Sequence, residues 1–293
     1  MYQTARIFIR GSSYNFPIKH TGRYILRLYF LPFTSLNYNS STAKFSVHCS
    51  RFVLLNNYTP TSDTVKEYSF NVLTIKLNIF LELALNSFAF LNALEVFSVP
   101  EDATLIEPRR AYKGLQIVGL ETIFRVNMGG PTVYYKNDSL WRTWKSDNSY
   151  LEHDDNNINV QHKAGVKYKS GLATRLEAPI AVYGTCRRLN HDIVSSSTNT
   201  LYFTVFVDWW TVFQVLDLTF LANGSLRIPI YRDFVTPVIT RNKLEVSIGS
   251  VVPDMINADA ILNGLEIMKM SNENNLDIDV GATARAVSEV LGA

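Results

Sequence analysis

Cysteine is scarce in this chain. Cys49 and Cys186 are the only two among 293 residues, which excludes a disulfide framework and any Cys-rich zinc pattern. A bridge between them needs a specific geometry, so two buried free thiols are expected. Excess charge is also absent. Charged residues are 18% of the chain and the formal net charge is +2, with no long basic run, so nucleic acid is a poor partner. No apolar run is long enough to span a bilayer. The longest, near Leu77 to Leu85, is interrupted by Asn78 and Glu82. The first residues, Met1-Tyr2-Gln3-Thr4-Ala5-Arg6, hold no apolar signal-peptide segment before Ile7. Metal and nucleophile signatures are missing as well. His20, His48, His153, His162 and His191 are not spaced as ligand pairs, His153-Asp154-Asp155 reads as a solvated loop, and no serine sits in a nucleophile elbow. No catalytic residue, metal site or cofactor is expected.

What the sequence has is β-forming material. Apolar residues reach 47%, with 17 Phe and 15 Tyr. That mix suits pleated, half-buried surfaces and points to an all-β protein. In Tyr24 to Phe30, Tyr24, Leu26, Leu28 and Phe30 alternate with Ile25, Arg27 and Tyr29, as a strand requires. Further strands are expected over Lys44–Cys49, Ser69–Ile75, Phe88–Val99, Thr122–Met128, Leu201–Val207, Lys243–Ile248 and Ile261–Met270, with turns at Gly129-Gly130-Pro131 and Asn223-Gly224. Ala282 to Leu291 is the clearest helix-period segment, placing Ala286, Val287, Val290 and Leu291 on one face.

The chain repeats itself. Phe90-Leu91-Asn92-Ala93-Leu94-Glu95-Val96 matches Ile261-Leu262-Asn263-Gly264-Leu265-Glu266-Ile267 at an offset of 171 (262 − 91). Tyr2-Gln3-Thr4-Ala5-Arg6 matches Tyr183-Gly184-Thr185-Cys186-Arg187 at 181 (183 − 2), and Phe45-Ser46-Val47 matches Phe203-Thr204-Val205 at 158 (203 − 45). Lys66-Glu67-Tyr68 matches Arg232-Asp233-Phe234 at 166 (232 − 66). The fall from 181 to 158 predicts that the second copy lacks a segment just after Arg187. The counterpart in the first copy is the strand through Gly22–Phe30. The second copy is then compromised unless another segment fills the gap. Glu95 and Glu266 recur at equivalent places and belong to different copies, so a structural role at each strand end is expected rather than paired acid–base chemistry.

These residues resemble a known family. Tyr2-Gln3-Thr4-Ala5-Arg6, Ser13-Tyr14, Arg27-Leu28-Tyr29-Phe30, Phe45-Ser46-Val47 and Ser87 to Val96 are similar to the first malectin-like domain of plant receptor-like kinases of the Feronia/Theseus type. Ala111-Tyr112, Leu120 to Gly130, Asp138-Ser139-Leu140-Trp141-Arg142-Thr143-Trp144, Tyr150-Leu151 and Leu262 to Ile267 are similar to the second. The resemblance implies two tandem malectin-like β-sandwich (jelly-roll-like) domains. It divides the chain into residues 1–100 (the C-terminal part of a first domain, N-terminally truncated), a linker at 101–118, a second domain at 119–270 with an internal deletion near 187, and a divergent tail at 271–293. It implies a non-catalytic ligand-binding region on the extracellular face of the plasma membrane. The partners implied are a secreted signalling peptide, a lipid-anchored co-receptor and cell-wall polysaccharide. No Gly-rich kinase loop, His-Arg-Asp or Asp-Phe-Gly is present.

Two sets of residues are site candidates. Asn39, Asn57, Asn137 and Asn223 open N-glycosylation sequons. Tyr134, Tyr135, Trp141 and Trp144 cluster near the Gly-Gly-Pro turn, and Trp209-Trp210 follow Asp208. Exposed, the first four rings stack on sugar rings, with Asn137 and Asp138 near enough to bond hydroxyls. The competing reading packs the tryptophans between the sheets. Trp209 and Trp210 either cap a turn or plug the space of the missing strand. The alternative function is a stand-alone carbohydrate-binding, lectin-like protein.

Overall fold

In a computed structural model, the structure describes residues 3–35, 37–100, 118–152, 157–161, 165–170, 172–189, 201–225, 227–236, 243–249 and 260–270, and the backbone of 282–289. Tyr2, His153, His162, His191, Ala111-Tyr112 and most of the 101–118 linker lie outside the described residues. The chain divides into two compact units.

Among the described residues, the first unit holds β1 (Arg6–Phe8), β2 (Ser12–Pro17), β3 (Gly22–Phe30), β4 (Phe45–Cys49), β5 (Phe52–Tyr58), β6 (Thr64–Val72), β7 (Lys76–Leu83), β8 (Ala89–Leu91) and β9 (Ala93–Ser98). One sheet runs β2-β7-β4-β5, and another carries β6-β3-β9. β7 alternates exposed and buried residues along nearly its whole length, as expected of a strand with one face in water. β3 is different: its last seven residues are all buried. It lies between β6 and β9, antiparallel to both. The two sheets share one core, in which Leu26, Leu28 and Phe30 of β3 meet Phe45, Val47, Leu77, Ile79 and Leu81. This is a β-sandwich. Phe30, Phe45 and Phe90 sit 5.9–6.2 Å apart, ring centroid to centroid, each pair adding about 0.5–1.5 kcal/mol to its area burial. Arg27 is the charge that β3 buries. Its Nε donates to Glu67 at 2.6 Å and its Nη1 to Glu95 at 3.2 Å, while its guanidinium lies 5.0 Å from the Phe97 ring centroid. Glu95 therefore has the structural role expected of it.

The second unit is built from most of β10 (Leu120–Asn127), β11 (Lys145–Ser146), β12 (Asn157–Gln161), β13 (Thr185–Leu189), β14 (Tyr202–Val207), β15 (Trp210–Asp217), β16 (Pro229–Thr236), β17 (Val246–Gly249), β18 (Ile261–Leu262), and most of β19 (Gly264–Met270) and β20 (Ala282–Glu289). Its strand orders are β12-β13-β18, β15-β14-β17 and β16-β20-β19-β10. Short helices α1 (Ile180–Tyr183) and α2 (Leu218–Leu221) interrupt the strands. The core gathers Cys186, Phe203, Val205, Leu216, Ile228, Ile230 and Ile261.

The segments that match in sequence also match in register. Arg6 pairs with Leu91 in the first unit, and Arg187 with Leu262 in the second. Phe45, Val47, His48 and Cys49 pair with Tyr58, Leu55, Val53 and Phe52. Phe203, Val205, Phe206 and Val207 pair with Leu216, Phe213, Thr211 and Trp210, all at the single offset of 158 and with the same two register shifts. Even the hairpin turns agree, with Ser50 at φ 51° and Asp208 at φ 52°.

The helix expected at Ala282–Leu291 is not formed. Residues 282–289 are a strand, β20, because sheet pairing on both sides overrides the local preference of an Ala-rich segment. Cys49 and Cys186 are buried and form no disulfide, as expected.

Candidate functional site

The aromatic loop lies in the second unit. β10 ends at Asn127, and Gly129 turns the chain with φ 66°. Val133 and Trp144 then exchange both backbone hydrogen bonds, at 2.8 and 2.9 Å, and close the loop between them. Inside it, Asp138 and Arg142 form a buried clamp. Asp138 Oδ2 accepts from the backbone N–H of Leu140 and Arg142 and from Arg142 Nε, and Oδ1 accepts from Arg142 Nη2. Arg142 Nη1 also donates to the Glu177 carbonyl. Each side-chain nitrogen of Arg142 and each carboxylate oxygen of Asp138 makes a bond inside the protein, so the loop conformation is over-determined.

The clamp holds Trp141 in a left-handed conformation, φ 56°, costly for a bulky residue. Trp141 is 63% exposed, and its ring stacks on Tyr135 at 5.6 Å with an interplanar angle of 22°. Tyr134, also 63% exposed, stands beside it in the chain. The result is a rigid aromatic shelf in water.

Sequence reasoning placed four rings together, and the structure separates them. Tyr134, Tyr135 and Trp141 form the surface. Trp144 does not: it is completely buried against Val133, Ala178, Val182 and Tyr183, with Arg142 5.4 Å from its ring centroid. It is a core residue and leaves the candidate set, because the backbone bridge to Val133 turns its ring inward. Asp138 is likewise corrected. It is buried and committed to Arg142, so it has no oxygen to offer a sugar. Trp209 and Trp210 sit at the turn of the β14–β15 hairpin, 58% and 51% exposed. They cap a turn and do not plug a gap.

The sequence reading missed one further pair. Phe124 of β10 and Tyr150, both about two-fifths exposed, meet edge-to-face at 5.6 Å. No pattern in the sequence marked it, because β10 does not alternate and the adjacent Ile123 and Phe124 are both exposed. Asn39, Asn57, Asn137 and Asn223 are all exposed; Asn57 and Asn223 have φ of 48° and 51°. Among the described residues no group of three or more His, Cys, Asp or Glu side chains is placed to hold a metal ion, and no helix is long and apolar enough to cross a membrane. Glu266 is buried and accepts from Arg125 Nε through its Oε1.

Residues 1–193 match the malectin-like domain. The chain belongs to the malectin-like family. A probable receptor-like protein kinase of Arabidopsis thaliana is 39% identical over 94% of this chain and 37% of its own length. Receptor-like protein kinase HERK 1 of the same plant is 38% identical over 93% of this chain and 37% of its own length. The chain thus spans little more than a third of these relatives. Among solved structures, the ANX2 ectodomain from Arabidopsis thaliana superimposes with a TM-score of 0.78 at 26% identity, covering 94% of this chain and 85% of that one. The structure of plant peptide RALF23 in complex with FER and LLG2 gives 0.75 at 24% identity, covering 92% and 84%, a likeness of fold alone. The malectin-like fold is all-β in these ectodomains as it is here.

Proposed function

We propose that this chain is the non-catalytic, extracellular ligand-binding region of a receptor-like kinase, taking a secreted signalling peptide together with a lipid-anchored co-receptor. The observation that carries the reading is the shared fold, over 92% of the chain, with the ectodomain found in complex with RALF23 and LLG2. Four exposed sequon asparagines favour an extracellular setting, on the outer face of the plasma membrane. The working surface in this reading includes the Tyr134/Tyr135/Trp141 shelf, because rigid exposed aromatics give contact area at low entropic cost. The test is calorimetry of the secreted, purified chain with RALF23, with and without LLG2. Saturable heat that grows with the co-receptor supports the reading; no heat in either arm removes it.

A second reading, a stand-alone carbohydrate-binding protein, is favoured by one observation: the flat, stacked Tyr135–Trp141 pair, whose faces suit the C–H surface of a sugar ring. Its partner is cell-wall polysaccharide. Titration with wall oligosaccharides decides it, since heat lost on Trp141→Ala supports the shelf and absence of heat with every oligosaccharide rejects it.

A further inference from the structure

In the first unit, β3 lies between β6 and β9; in the second, β20 lies between β16 and β19. By the sequence repeat, β16 corresponds to β6 and β19 to β9, so β20 stands where the second copy lacks the counterpart of β3. The chain fills its own gap from a segment with no sequence likeness to the strand it replaces. β3 reads Gly-Arg-Tyr-Ile-Leu-Arg-Leu-Tyr-Phe; β20 reads Ala-Thr-Ala-Arg-Ala-Val-Ser-Glu. Alanine is depleted in strands, and large aromatic and branched residues are enriched, so β20 is weakly matched to a central position.

A second observation marks what the replacement fails to supply. Asn92 of the first unit donates from Nδ2 to the Thr4 carbonyl, and its Oδ1 accepts the backbone N–H of Leu31, the residue just after β3. Asn263 of the second unit makes the corresponding donation to the Thr185 carbonyl at 2.7 Å, with a further one to Tyr183. Its Oδ1 is fully buried and has no hydrogen-bond partner among the described residues. The donor that satisfies Asn92 comes from the end of β3, the part the second copy lost. A buried acceptor left without a donor is destabilising.

We propose that the slot between β16 and β19 is a strand-accepting site: β20 is its removable occupant, and an extended peptide with alternating large apolar side chains takes its place by β-augmentation. The peptide's backbone N–H, one residue past the paired stretch, satisfies Asn263 Oδ1. The site does not depend on the aromatic shelf, nor on whether the chain binds a signalling peptide.

The probe is a synthetic peptide of residues 22–31 carrying two added lysines for solubility, titrated into the full chain. Expected results are saturable binding, faster hydrogen exchange in 282–289, and unchanged or slower exchange in 229–236 and 264–270. A peptide N-methylated at the position of Leu31 loses the donor and binds roughly tenfold more weakly. Ala286→Pro, which removes a ladder donor from β20, tightens binding; should that variant not fold, Ala286→Gly serves. The proposal is overturned if neither wild type nor variant binds, if binding leaves exchange in 282–289 unchanged, or if N-methylation has no effect. It also falls if the chain dimerises by exchanging β20 with a second copy and the peptide leaves that dimer intact.

Discussion

Arg142 grips Asp138 through two parallel bonds, Nε to Oδ2 and Nη2 to Oδ1, both 2.9 Å, with both side chains almost fully out of water. This pair raises Trp141 into solvent and turns Trp144 into the core. Three expectations follow from it and from its surroundings, and a fourth from the buried thiol of the first unit.

Asp138→Ala leaves the Arg142 guanidinium buried without its carboxylate. Breaking one side of a buried pair costs about 3–5 kcal/mol. Thermal or denaturant unfolding is expected to show a loss of that size, together with a change in fluorescence as Trp141 leaves its stack. A loss under 1 kcal/mol would mean that the clamp does not fix the loop.

Trp141→Gly removes an exposed ring and relieves a left-handed backbone, a gain of about 1 kcal/mol. Loss of the Tyr135 stack offsets a similar amount. Stability is therefore expected to stay within about 1 kcal/mol of wild type, while ligand binding at the shelf disappears. Unchanged binding assigns the shelf no part in recognition.

Burial pushes the Cys49 thiol up to about 12 from 9.0, against a small opposing effect of a hydrogen bond to Ser50. Below pH 9 both folded and unfolded thiols are protonated, and the group adds no pH dependence. Between about 9 and 12 the unfolded thiol ionises and the folded one does not, so stability falls as pH rises, by at most about 1.4 kcal/mol per pH unit. Comparing the wild type with Cys49→Ala across that range isolates the effect. In the native state Cys49 is also expected to resist iodoacetamide, since the thiolate is the reactive form.

Gly129→Ala should fail in a different way. Gly129 has φ 66°, and a Cβ there would lie 2.2 Å from the Cys186 carbonyl oxygen. Both the conformation and the approach reject a side chain. A drop of at least about 3 kcal/mol or loss of soluble protein is expected, measured by denaturant titration; a mild effect would mean that the turn can move away from β13.

Much of the fold was legible because chemically similar residues recur at matching places. Asn92 and Asn263 sit between the same Leu neighbours, and the bonds they make explain why: each ties a strand end to a carbonyl 88 or 78 residues earlier. Single residues told less. Trp141 and Trp144 are the same residue type three positions apart, and no local pattern says which one faces water. The Val133–Trp144 bridge and the Asp138–Arg142 clamp decide it. β20 was misread because alanine, arginine and glutamate favour a helix locally, and only the partners on either side make it a strand.

The sequence by itself determined the β-rich class, the repeat and the family, since these rest on residue types and their spacing along the chain. From a change in offset it also predicts a missing segment just after Arg187. Only the tertiary structure decided which strand lies between β16 and β19, which aromatic rings reach solvent and which asparagine oxygen is left without a donor among the described residues. Those outcomes depend on which segments lie side by side, and pairing between distant parts of a sheet is set by partners that no local stretch of sequence contains.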